Sequence, residues 1–149
     1  MLFEIKIKRS VIDDMTGKDK VQNEHYLCSA ATFGEAEEQA HRLAELNSFK
    51  EWRLLNITPC NLEEIICLEE KDYFQNLTAS YVGEDDNGKL KTHSLRCLIA
   101  ANSPKEAIDV FKQWSKDFTI DYTVKKVSQS RIIEVMFEIL KEELTDEPV

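Results

Sequence analysis

The chemistry-bearing residues of this 149-residue chain are mostly lysines and carboxylates, and two lysine pairs share one setting. Gly17-Lys18-Asp19-Lys20 and Gly88-Lys89-Leu90-Lys91 both read Gly-Lys-x-Lys. Ammonium groups beside a glycine turn suit phosphate oxygens, and two copies would grip from two related positions. Lys125 and Lys126 add cations on a strand, with Lys6, Lys8 and Arg9 as further neighbours. Tyr26, Trp52, Tyr81 and Tyr122 are aromatic groups on which bases stack in single-strand binders. The competing reading is structural: lysine guards sheet edges against stray pairing, and these aromatics fall on core periodicity. Lys18, Lys20, Lys89, Lys91, Lys125 and Lys126 are therefore the candidate contacts, for a protein partner first and for nucleic acid second.

Other reactive constellations are sparse. Glu63-Glu64 and Glu69-Glu70 are the kind of pair that can hold a divalent cation, but such pairs are mostly exposed charge. Asp85-Asp86-Asn87-Gly88 opens like a calcium loop and lacks the glutamate at the twelfth position, so it reads as a turn. Cys28, Cys60, Cys67 and Cys97 form no C-x-x-C, and His25, His41 and His93 are scattered, so reduced thiols are expected rather than zinc. There is no G-x-S-x-G, H-E-x-x-H, P-loop or G-x-G-x-x-G, and only four glycines. The expectation is a protein that is not an enzyme, with no catalytic residues, no cofactor and no metal.

The net charge of −9 is concentrated. Residues 63–72 hold five acids and one base, and residues 134–149 hold six acids and one base. These stretches carry the whole excess, so an anionic partner for the rest of the chain is compatible with the total. No apolar run approaches the roughly 18 residues of a membrane span, and "MLFEIKIKRS" reads as a strand rather than a signal peptide. A cytoplasmic protein without membrane contact is expected.

The elements that must position these groups come in two copies. "GKDKVQNEHYLCSAATFGEA", from Gly17, lies without a gap over "GKLKTHSLRCLIAANSPKEA", from Gly88, with seven of twenty positions identical. At a shift one residue smaller, "WRLLNITPCNLEEII" lies over "YTVKKVSQSRIIEVM". Phe3, Ile5 and Ile7 alternate with charges, a strand with one buried face. A glycine turn leads to a second strand, closing a hairpin. Thr32-x-x-Glu35 and Ser103-x-x-Glu106 are capping boxes, with Pro104 at the first helical position. Ala36, Ala40, Leu43 and Ala44 form one helix stripe; Ala107, Phe111 and Trp114 form the other, with Phe118 as its next turn. Trp52, Leu54 and Ile57 match Tyr122, Val124 and Val127 in third strands. Leu62, Ile65 and Ile66 match Ile132, Val135 and Met136 in short closing helices, the second running on through "FEILKEEL".

The predicted fold is α+β, a tandem duplication of a β-β-α-β-α unit. The halves would be related by a pseudo-two-fold, with antiparallel sheets carrying helices on one face. Its parts are residues 1–70, residues 71–140 and an acidic tail at 141–149. Self-association or another protein partner is expected.

With "FEIKIK", "YLCSAATFGEAE" and "LKTHSLRCLIAANSPKEAIDVF" in place, the chain resembles a family of Bacteroidota and their phages, domain of unknown function 4494. The resemblance covers roughly residues 2–137 and stops short of the last dozen. It speaks for fold and assigns no residue a catalytic role.

Overall fold

A computed structural model describes residues 1–136 of the chain. The elements are β1 (Leu2–Ile12), β2 (Asp19–Ser29), α1 (Phe33–Leu46), β3 (Lys50–Cys60), β4 (Glu64–Ile66), β5 (Phe74–Glu84), β6 (Leu90–Ala100), α2 (Pro104–Ser115), β7 (Thr123–Gln129) and β8 (Ile132–Val135). Among the described residues, two helices and two mixed sheets make the class α+β.

The first compact unit is Met1–Cys60 with the chain from Ile132 on. Its sheet runs β3-β1-β2-β8. Phe3, Ile5 and Ile7 are at most 1% exposed and pack with Tyr26 and Cys28 under Ala36, Ala40 and Leu43 of α1. The larger of these, Phe3, Ile5, Ile7 and Leu43, each contribute roughly 1.5–3 kcal/mol by leaving water. The second unit is Asn61–Arg131, with sheet order β4-β6-β5-β7. Leu77, Ala79, Cys97 and Ile99 pack there against Ala107 and Phe111 of α2. Leu27 and Leu98 occupy the same place in β2 and β6, as do Ala36 and Ala107 in α1 and α2.

One expectation fails in both halves. The segments read as closing helices are the strands β4 and β8, so the element order is β-β-α-β-β. Three or four residues are too few to nucleate a helix, and Ile65, Ile66, Ile132 and Val135 suit an extended backbone. Each strand also pairs in parallel: β4 with β6, and β8 with β2. The sheets are therefore mixed, not purely antiparallel as expected. Because β4 belongs with β5–β7 and β8 with β1–β3, the spatial units do not coincide with residues 1–70 and 71–140. The predicted helix over "FEILKEEL" and the tail at 141–149 lie outside the described residues.

The helix starts follow the sequence. Thr32 Oγ1 accepts from the Glu35 N–H (3.2 Å) and Ser103 Oγ from the Glu106 N–H (3.1 Å). The two glutamates reach one residue further back than a standard box, to the N–H groups of Ala31 (2.8 Å) and Asn102 (3.3 Å). Pro104 opens α2. The second helix ends at Ser115, so Phe118 lies past it in the connection to β7 and is 44% exposed.

Candidate functional site

The hairpin β1–β2 is closed by Gly17 (φ 69°) and β5–β6 by Gly88 (φ 78°), positions where a side chain would be strained. Asp13 and Asp85 organise the turns: each side chain accepts from the backbone two residues on, at Met15 and Asn87. The carbonyls of Lys18 and Lys89 close the turns by accepting from Asp13 and Asp85 N–H, both at 2.8 Å. The calcium-like start at Asp85 is thus a turn.

These hairpins outrun the strands that cover them. Of the eleven residues of β2, β8 pairs only with His25, Tyr26 and Leu27. Of the eleven of β6, β4 pairs only with Cys97, Leu98 and Ile99. Leu27 O accepts from Met136 N–H and Arg96 O from Glu63 N–H, so these two residues point their backbone groups outward. Alternation along an antiparallel ladder turns Val21, Asn23, Thr92 and Ser94 outward too. Among the described residues no strand pairs them there. The same hairpin ends carry exposed apolar side chains: Ile12, Met15 and Val21 on one, Val82 and Leu90 on the other.

The six candidate lysines are all exposed. Lys20 lies opposite Val11 and Lys91 opposite Gly83, on the helix-bearing faces of their sheets; Lys18 and Lys89 end the turns. Lys126 lies opposite Thr78 on the other face, and Lys125 sits at a bulge in β7. Five rungs and two strand spacings separate Lys126 from Lys91, about 20 Å. The structure therefore brings Lys18 to Lys20 and Lys89 to Lys91, but does not gather Lys125 and Lys126 with the latter pair. Of the expected neighbours, Arg9 is engaged elsewhere and Tyr26 is buried.

That engagement was not foreseen. Gln22, Glu24 and Tyr26 share the helix-side face of β2, opposite Arg9, Ile7 and Ile5 of β1 respectively. The buried Glu24 carboxylate accepts from Arg9 Nε and Nη2, from Gln22 Nε2 (2.9 Å) and from Tyr26 Oη (2.9 Å). The Arg9 guanidinium lies 4.2 Å from the centre of the Phe49 ring. Burial, and then Glu24, push the Tyr26 phenol well above its ordinary range. The polar period-two run Gln22-x-Glu24-x-Tyr26 was the available signal. Both carboxylate oxygens of Glu24 accept two hydrogen bonds each, so the cluster is a locked joint rather than an open site.

A groove of about 520 Å³ lies in the second unit between α2 and the start of β7. Phe111, Phe118, Ile120 and Tyr122 line it, with Lys112 and Lys116 beside a single carboxylate, Asp121.

The family model described as Domain of unknown function (DUF4494) matches residues 1–138. The chain belongs to that family. No curated protein and no solved structure matched this DUF4494 chain. Among its described residues no three His, Cys, Asp or Glu side chains converge as a metal would require, and no helix is long and apolar enough to cross a membrane. Cys28, Cys67 and Cys97 carry free thiols, and burial pushes those of Cys28 to about 11 and Cys97 to about 12. Glu63 is committed to Arg96, accepting from its N–H (2.6 Å) and Nη2 (3.2 Å), while Glu69 meets Lys71.

Proposed function

We propose that the chain is a non-catalytic interaction protein that takes an extended segment of a protein partner onto the outer edges of β2 and β6. The observation that carries this reading is the shortness of β4 and β8, which leaves the outward side of Val21, Asn23, Thr92 and Ser94 without a strand neighbour among the described residues. Main-chain hydrogen bonds supply affinity in strand addition, and flanking side chains supply selectivity. The exposed Val21 and Leu90 provide apolar contact, and Lys20 and Lys91 favour a partner strand with carboxylates. In this reading the protein works in the cytoplasm, where its thiols stay reduced. The repeated sequence and the shared element order support an origin by duplication, giving two related edges.

The second reading is single-strand nucleic-acid binding by the hairpin lysines, favoured only by their occurrence at both turns. The deciding experiment is proline substitution. Val21→Pro and Thr92→Pro each remove one outward N–H and spare the inward ladder. If a protein co-purifies with the wild-type chain, its loss from both variants, with folding intact, supports strand addition. Unchanged capture together with tight, salt-sensitive binding of labelled single strands replaces it with the second reading.

A further inference from the structure

The groove between α2 and β7 is independent of the hairpin edges and has its own chemistry. Phe118 and Ile120 are 44% and 43% exposed, although each is large and apolar. Lys112 and Lys116 flank them, so an occupant needs apolar side chains and carboxylates together. β7 ends its sheet and has β5 as its one strand neighbour among the described residues, so a chain lying in the groove also meets an edge.

We propose that this groove takes the acidic C-terminal segment, residues 137–149, of a second copy of the chain. That segment carries five acids and one lysine. Phe137 and Ile139 supply it with apolar side chains, and Glu138, Glu142 and Glu143 with carboxylates. Thirteen residues extended span about 43 Å, more than the length of seven-residue β7. The described chain ends at Met136 in the first unit, whereas the groove belongs to the second. In the proposed assembly the terminus of one copy meets the groove of the next. The steering is electrostatic: Glu142 and Glu143 meet Lys112 and Lys116, and the apolar pair fills the space beside Phe118.

The test uses the full chain in sedimentation velocity across concentration at low salt. The expected result is a mass that rises with concentration in the wild-type protein. Lys112→Glu with Lys116→Glu should weaken association at least about tenfold, as should Glu142→Lys with Glu143→Lys. Mixing these two variants should restore it, because each supplies the complementary charge. Unchanged thermal midpoints in both variants establish that folding is intact. A wild-type chain that stays monomeric up to about 1 mM overturns the proposal. So does association indifferent to both reversals. So does a monomer whose Phe118 and Ile120 amide signals shift on tail reversal, which is docking within one copy.

Discussion

Arg9 of β1 and Glu24 of β2 form a two-pronged ion pair over a span of fifteen residues, with the Glu24 carboxylate buried. Gln22 and Tyr26 fill the remaining lone pairs and Phe49 covers the guanidinium, so removing one partner strands the other. Arg9→Ala should destabilise the fold by about 2–3 kcal/mol, less than a fully buried pair because Arg9 remains partly exposed. The pair Arg9→Met with Glu24→Leu should cost far less than either single change to alanine. Denaturant midpoints decide this; an innocuous Arg9→Ala would show that the carboxylate is not held by the arginine.

The two cap hydroxyls give a second prediction. Thr32→Ala and Ser103→Ala should each lower stability by about 1 kcal/mol, since each leaves a first-turn N–H without its acceptor. Glu35→Ala and Glu106→Ala should have smaller effects, because the N–H groups they receive belong to exposed residues outside the helix. Equilibrium urea unfolding measures all four, and midpoints unmoved by both hydroxyl deletions would argue against the caps.

Stability should fall as pH rises above about 9. The thiols of Cys28 and Cys97 are raised by burial to about 11 and about 12, and the Tyr26 phenol is raised as well. Groups with raised folded values hold their protons while the unfolded chain releases them, so the unfolded state binds fewer protons and is favoured by base. Their stabilising contribution is complete below the unfolded thiol value and is lost on climbing through the folded ones. Cys97→Ala should flatten the alkaline slope in thermal melts between pH 8 and about 11. An unaltered slope would place the titration elsewhere.

The lysine pairs at the hairpin ends yield a sharp discrimination. Changing Lys18, Lys20, Lys89 and Lys91 to Ala removes up to four phosphate contacts, each worth a salt slope of about 0.7 on a single strand. The expectation is that the wild-type protein binds single-stranded DNA or RNA no tighter than about 0.1 mM near physiological salt. The quadruple variant is instead expected to aggregate sooner, because lysines beside open strand edges suppress pairing. Fluorescence anisotropy and light scattering read these outcomes, and a tight complex abolished by the quadruple change would favour nucleic acid.

Local chemistry explains what was legible beforehand. The alternation of Phe3, Ile5 and Ile7, the cap residues Thr32 and Ser103, and the glycine turns each act within a few residues, so type and spacing suffice. β4 and β8 were missed because Glu64–Ile66 and Ile132–Val135 are too short to show a period. Their strand character comes from pairing with residues more than thirty positions away, as Glu64 does with Cys97. The Arg9–Glu24 joint was missed for the same reason: its members meet only once the hairpin register is set. The six lysines were visible, but that Lys126 and Lys91 face opposite sides of one sheet follows from register alone.

Residue-resolved amide hydrogen exchange reads out whether β4 and β8 complete the two sheets and stop short of the hairpin ends. Exchange should be slow at Glu63 and Met136, whose N–H groups donate to Arg96 and Leu27 at 2.9 Å each. It should be fast at Val21, Asn23, Thr92 and Ser94 in the free protein, with unbroken protection on the inward side of β2 and β6. A helical protection pattern across residues 62–68 and 132–136, or protected outward amides in the free chain, would contradict this arrangement.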